Sequence, residues 1–294
     1  MKSSPELRAT AKKILIVGGD GAIGSALAGY LPQTGLEVIK TTRRKGGEGL
    51  FLDLEDLPKN LEFPGVSVAV ICAGIGSVAQ CESNPNLTAR VNVEAPKRII
   101  EEVVGRGGRI VFLSTTHVFD GEKSFYATGD ERNPITNYGR QKAEVESCLE
   151  EIFPGQSAIV RLTKVLTPGG GLVKNWINAW RQGNPVDAFS DMYLSPVSLE
   201  FAVGALAKVI EESLSGKVHV SADGETSYFD FALELAERLG IERKLIRGIS
   251  YKDAIKHPMP ARASLAPSFG EVEFNSVASH NRLKRFIKEI ARRV

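Results

Sequence analysis

Residues 13–24, KILIVGGDGAIG, constrain this chain more than any other stretch. A short run of branched apolar residues ends directly in glycines and then enters a helix-forming segment. A strand with no polar residue in its middle is buried on both faces, as strands of a parallel sheet are between two helical layers. The glycines fit two spacings: Gly19, Gly21 and Gly24 match GxGxxG, while Gly18, Gly21 and Gly24 match GxxGxxG. Such a turn lets backbone approach a pyrophosphate and aims the N-terminus of the next helix, predicted over 22–31, at the anion. Gly18, Gly21, Ala22, Ile23 and Gly24 are therefore expected to carry the phosphates of a dinucleotide. Asp20 would repel those phosphates if it turned inward, so it is expected to face solvent or cap the helix.

The pattern then repeats. Apolar strands are expected over 37–42, near 51–52, and over 66–72, 109–114 and 157–162, with helices over 87–105 and 138–152 between them. Strands alternating with helices over this length predict an α/β fold with a doubly wound parallel sheet of the Rossmann type. The rhythm changes at Thr167-Pro168-Gly169-Gly170-Gly171, where the chain is expected to leave the sheet. Helices over 172–182, 199–213 and 228–239 and a strand over 217–221 follow. Residues 1–166 thus form the expected dinucleotide-binding domain and 167–294 a smaller α/β substrate lobe, with a segment near 197–221 returning to the first. Residues 257–274 carry three prolines and little periodicity, and are expected to form a surface loop. Residues 282–294 read as an amphipathic basic helix docked on the body.

An acidic side chain after the second strand would select NAD, whereas this chain has Thr41-Thr42-Arg43-Arg44-Lys45. Arginine binds phosphate through charge-assisted, bidentate hydrogen bonds, so Arg43 and Arg44 favour NADP(H) over NAD(H). Asp53, with Leu54 beside it, lies where a carboxylate can accept from an adenine amino group. Ala73 and Gly74 end the fourth strand with residues small enough for a cofactor to lie close.

Tyr138 and Lys142 stand at i and i+4, on one face of the predicted helix. An ammonium beside a phenol stabilises the phenolate and is expected to bring Tyr138 toward neutral pH, so that it exchanges a proton with a carbonyl while a hydride moves. Lys142 can also hold the nicotinamide ribose. The fifth strand ends at Ser114-Thr115-Thr116, at the carboxyl edge where open α/β sheets bind ligands, and the Thr115 hydroxyl can orient a substrate oxygen. Thr116, His117 and Trp176 are candidate substrate contacts, although core packing is the simpler role for Trp176 and Trp180.

The bulk numbers narrow the partners. Thirty-seven basic against 35 acidic side chains leave a formal net charge of +2, which gives no global field for nucleic acid or an anionic membrane. Three cysteines without metal-ligand spacing are read as reduced, and no metal site is expected. No apolar signal segment or membrane-length run is present, so a cytoplasmic protein, monomer or homodimer, acting on a small molecule is expected.

The stretch STTHVFDGEKSFYATGDERNPITNYGRQKAEVE resembles the STDYVFDG block and N-x-YG-x-x-K helix of the extended short-chain dehydrogenases, in particular the dTDP-4-dehydrorhamnose reductase branch. NVEAP at 92–96, IVRLT at 159–163, DMYLSPV at 191–197 and MPARASL at 259–265 are also similar. The resemblance implies catalytic roles for Thr115, Tyr138 and Lys142 and reduction of a keto group on a nucleotide sugar. It also leaves open a nucleotide-sugar epimerase with tightly held NAD and a cofactor-binding regulatory protein without catalysis. Thr116-His117 stands where the branch has Asp-Tyr, and ICAGIG at 71–76 where it has NAAAYT; both departures adjoin the expected substrate position.

Overall fold

In the computed structural model, which describes residues 12–167 and 170–268, the branched apolar run becomes β1 (Lys13–Val17). Its alternation sets the layering of the molecule: Ile14 and Ile16 enter one core while Leu15 and Val17 enter another, all four fully buried. Removing each such side chain from water contributes about 1.5–3 kcal/mol before the entropy of ordering is subtracted.

From β1 the chain runs outward through α1 (Ala22–Tyr30), β2 (Glu37–Thr42) and β3 (Leu50–Phe51), then returns to β4 (Val66–Ile71) on the opposite side of β1. Next come α2 (Val78–Ser83), α3 (Pro85–Ala89), α4 (Ala95–Gly105), β5 (Arg109–Thr115), α5 (Asn137–Ile152) and β6 (Ser157–Leu162). The helix predicted over 87–105 is not uniform, because a π-helical turn at Arg90–Glu94 lies within it.

Beyond β6 lie β7 (Val165–Leu166), α6 (Gly171–Arg181), β8 (Val186–Phe189), β9 (Tyr193–Leu194) and β10 (Val197–Ser198). The chain continues through α7 (Leu199–Glu211), β11 (Gly216–Val220), β12 (Thr226–Ser227), α8 (Tyr228–Arg238), β13 (Ile246–Ile249), α9 (Tyr251–Ala254) and β14 (Arg262–Ala263).

Seven strands form the central sheet in the order β11-β6-β5-β4-β1-β2-β3, every pair parallel. This is the Rossmann-like α/β architecture that the strand–glycine–helix pattern predicts. α1 and α7 pack on one face through Leu27, Leu206 and Ile210, and α4 and α5 on the other through Ile99, Val103, Val145 and Leu149. Strand order reverses between β1 and β4, which opens a crevice at their carboxyl ends.

One core position is charged. Along β6, Ile159 joins the core on the α5 side, and Arg161, two residues on and 1% exposed, meets Glu146 of α5 there. Arg161 donates to Glu146 at 3.0 Å from Nε and 2.7 Å from Nη2, and Glu146 also accepts from Ser114 Oγ at 2.5 Å. Such a pair contributes little net stability, but removing either member would strand a buried charge. His219 of β11 lies 3.2 Å from Arg161 Nη1 and 3.3 Å from the Ala266 carbonyl. An arginine can only donate, so His219 Nε2 accepts and Nδ1–H donates to Ala266. Backbone hydrogen bonds between His219 and Ser268, and from Ala266 to Tyr126, tie down the proline-bearing segment as far as residue 268.

Outside the central sheet, α6, α8, the parallel pair β8–β13 and the group β12-β9-β14 surround a third core that holds Trp176, Trp180, Ile177, Phe231 and Leu235. β11 and α7 belong to the central sheet and its helical layer. The basic helix expected over 282–294 lies outside the described residues. Among the described residues no helix is long and apolar enough to cross a membrane.

Candidate active site

The glycine loop is shaped by its neighbours. Gly18 has φ +95°, and a Cβ there would sit 2.7 Å from the Ala73 nitrogen; a Cβ at Gly24 would sit 2.3 Å from the Gly18 carbonyl. Those two glycines are required by the protein itself. Gly21 is different, because the nearest atom to a Cβ there is 3.4 Å away, an ordinary contact. Its open side faces a cavity of ≈ 620 Å³ lined also by Val17, Gly18, Asp20, Arg43, Arg44, Asp53, Leu54, Ala73 and Gly74.

Gly21 stands at the N-cap of α1, which has no side-chain cap and no acidic residue in its first turn, whereas Thr136, Ser198 and Ser227 cap α5, α7 and α8. An uncapped helix N-terminus behind a glycine left open on one side fits a diphosphate. The loop is held by a residue that the sequence did not flag: Thr41, 2% exposed, accepts from the Gly18 amide through its hydroxyl at 3.0 Å and from the Gly19 amide through its carbonyl at 3.0 Å.

A second cavity of ≈ 250 Å³ shares Cys72, Ala73, Gly74 and Gly76 with the first and is lined by Ile23, Ser114, Thr115, Tyr138, Lys142 and Thr163. The crevice is thus continuous from the end of β2 to the end of β5. Thr115 and the helix-borne pair Tyr138 and Lys142 meet at this end because Gly139 lets α5 approach closely: a Cβ at 139 would sit 2.0 Å from the His117 carbonyl oxygen. Thr115 and Tyr138 line the same cavity, while Lys142 Nζ donates to the Leu113 carbonyl at 2.9 Å and lies 4.5 Å from the centre of the Phe112 ring.

The pair's electrostatics differ from the simple expectation that Lys142 brings the phenol toward neutral pH. Burial pushes Tyr138 up to about 12, and the neighbouring Thr115 hydroxyl offsets this only in part. Lys142 is 5% exposed, and burial brings its ammonium down to about 8 against the opposing pull of Cys72, Glu146 and Cys81. At neutral pH the phenol therefore holds its proton and the lysine keeps its charge.

Asn92 is a positioning residue that spacing did not reveal. Set in the π-turn and buried, it accepts from the Ile75 amide at 2.7 Å and donates to the Ile75 carbonyl at 3.0 Å and to Gln141 Oε1 at 2.8 Å. It fixes the loop after β4 against α5, between the two cavities. A polar residue buried inside an otherwise apolar helix face was the available signal.

Ala22, Gly24, Thr116, His117 and Trp176 line neither cavity. His117 packs edge-on against Tyr138 with ring centres 5.6 Å apart, and burial brings its imidazole down to about 4. Trp176 is 6% exposed, lies 6.1 Å from Trp180 and 5.9 Å from Phe231, and packs a third core instead of lining either cavity. Asp20 does not cap α1 but accepts from the Thr42 hydroxyl at 2.8 Å. Arg262 pairs with Glu225 and stacks over Tyr193 at 4.3 Å. Among the described residues no cluster of His, Cys, Asp and Glu could hold a metal ion.

The RmlD substrate binding domain family matches residues 12–292. A probable low-salt glycan biosynthesis reductase of Haloferax volcanii is 27% identical over 247 residues, 79% of this chain and 81% of its own. A crystal structure of a dTDP-4-dehydrorhamnose reductase from Clostridium acetobutylicum superposes with a TM-score of 0.79 at 26% identity, covering 94% of this chain and 99% of that one. A Bacillus anthracis dTDP-4-dehydrorhamnose reductase solved with NADP has the same fold, with a TM-score of 0.82 at 20% identity over 95% of this chain and 99% of its own. With the parallel sheet, the open glycine loop and a family match spanning nearly all of its length, the chain belongs to the dTDP-4-dehydrorhamnose reductase family.

Proposed function

We propose that this protein reduces a keto group on a nucleotide-linked sugar with NADPH, using Tyr138 as proton donor, Thr115 to orient the carbonyl and Lys142 to stabilise the charge left on the phenol. The observation that carries this reading is the convergence of those three side chains on one cavity that opens from the dinucleotide crevice. The names of the Haloferax and Clostridium relatives support the reaction class, and the NADP in the Bacillus anthracis structure supports the cofactor.

Gly18, Gly21 and the α1 N-terminus would hold the diphosphate, Arg43 and Arg44 the ribose phosphate, and Asp53 the adenine, while Lys142 reaches the nicotinamide ribose. The dihydronicotinamide supplies the hydride. As the carbonyl carbon accepts it, the oxygen becomes an alkoxide and takes the Tyr138 proton. An alkoxide is a stronger base than a phenolate, so the transfer is downhill even from a phenol pushed up to about 12. A donor that stays protonated at neutral pH suits the reductive direction. The Lys142 ammonium then faces a phenolate instead of a neutral phenol, an interaction that strengthens as the charge develops.

Purified protein, NADPH and a panel of keto-sugar nucleotides test the proposal by the loss of NADPH absorbance. Turnover of a dTDP-linked 4-keto sugar, strongly reduced in Tyr138→Phe, is the expected result. Binding of NADPH with no oxidation by any panel member, unchanged in Tyr138→Phe, would favour a regulatory protein. NAD released on denaturing the protein as purified would favour an epimerase.

A further inference from the structure

The acid that binds the ribose hydroxyls in NAD-dependent sheets of this kind stands at the end of the second strand, and here that end carries Thr41-Thr42-Arg43-Arg44. A carboxylate is nevertheless delivered to the same place from the glycine loop. Asp20 Oδ2 accepts from the Thr42 hydroxyl at 2.8 Å. The same oxygen lies 4.0 Å from Arg44 Nε. Thr42 is 3% exposed and its hydroxyl also accepts from the Arg44 amide at 3.1 Å, so the anchor for both side chains is fixed.

Asp20, Arg43 and Arg44 all line the larger cavity alongside Gly18 and Gly21. Arg44 has 76% of its side chain exposed, whereas the carboxylate is held by the Thr42 hydroxyl. Lys40, the other nearby cation, is paired with Glu48 at 2.8 Å.

We propose that Asp20 and Arg44 together read the 2′ position of the adenosine ribose, the carboxylate accepting from a 2′-hydroxyl and the guanidinium pairing with a 2′-phosphate. The inference rests on the dinucleotide reading given above and sharpens it: Asp20 limits the preference that Arg43 and Arg44 give for the phosphorylated form. A 2′-phosphate meets attraction from Arg44 and Arg43 and repulsion from a carboxylate held in place by the Thr42 hydroxyl. A 2′-hydroxyl finds in Asp20 an acceptor already in place, and Arg44 then stays on its intramolecular partner.

Fluorescence titration of NADH and NADPH onto the wild type, Asp20→Asn and Arg44→Gln tests the inference without any sugar substrate. Asp20→Asn keeps the hydrogen-bonding shape and removes the charge. It is expected to raise the ratio of the NADH to the NADPH dissociation constant about tenfold, and Arg44→Gln to lower it about tenfold, as for one charge-assisted contact. Both shifts should shrink in high salt, because the groups are reached by solvent. If both dinucleotides bind and Asp20→Asn leaves the ratio within about twofold, or moves it toward NADH, the role of Asp20 is overturned while the dinucleotide reading stands. If the wild type binds neither, the dinucleotide reading fails and the inference fails with it.

Discussion

At the β5 end of the crevice Lys142 is 5% exposed and donates to a backbone carbonyl, whereas at the β2 end Arg44 has 76% of its side chain in solvent and lies 4.0 Å from a carboxylate. Burial governs the first site: it raises Tyr138, lowers Lys142 and makes each contact strong because water is excluded. Position governs the second, where the Thr42 hydroxyl fixes the Asp20 carboxylate and keeps its proton affinity low, and the Arg44 guanidinium stays exposed. A site that does chemistry needs shifted protonation states, which require desolvation. A site that only distinguishes a hydroxyl from a phosphate needs charges of known position, and solvent-facing side chains supply them.

The comparison can be tested by four measurements, from the largest expected effect to the smallest. Tyr138→Phe removes the proposed proton donor and should lower kcat by about 10²–10⁴ while NADPH binding, followed by fluorescence, changes little. Equal loss of binding and turnover would mean that the residue holds ligand instead of moving a proton.

Gly21→Ala places a methyl group where the protein has room and a diphosphate would not. Dinucleotide affinity should fall by about tenfold or more, with a thermal midpoint close to that of the wild type. A large loss of stability would instead make Gly21 a structural glycine like Gly18.

The pH profile of kcat/KM examines Lys142. Its ammonium, lowered to about 8, is charged below that pH and neutral above it, so activity should decline above about pH 8, by up to tenfold per unit. The linkage for stability runs the other way. An unfolded lysine, with its ordinary value of 10.5, binds a proton between about 8 and 10.5 that the folded one does not, so this residue makes folding more favourable as pH rises through that window. A profile flat to pH 10 would remove Lys142 from the mechanism.

Arg43→Gln acts at the exposed end and should weaken NADPH binding by only about two- to fivefold, as a solvated contact does, with a marked salt dependence. An effect as large as that of Tyr138→Phe would show that the two ends do not differ as their burial implies.

Much of the site was legible because its parts are local in sequence. The i, i+4 spacing puts Tyr138 and Lys142 on one face of α5, and a branched strand followed by spaced glycines can build little other than a strand–turn–helix cradle. What escaped was set by distant partners. Trp176 carries no mark of its neighbours; Trp180 and Phe231 place it in a core and not in a binding pocket. Asn92 acts through Ile75 and Gln141, 17 and 49 residues away along the chain. The departures Thr116-His117 fall beside Tyr138 without lining its cavity, so they shape the phenol's surroundings from outside the cavity walls.

The sequence by itself determined the alternation of strands and helices through β6, the glycine cradle and the spacing that puts Tyr138 and Lys142 on one helix face, since backbone periodicity and turn chemistry depend on residues within a few positions of one another. Only the tertiary structure decided that Tyr138 is raised and not lowered, and that a carboxylate from the glycine loop occupies the end of β2. Desolvation and charge pairing sum over everything packed around a group, and that surrounding exists only once distant segments have met.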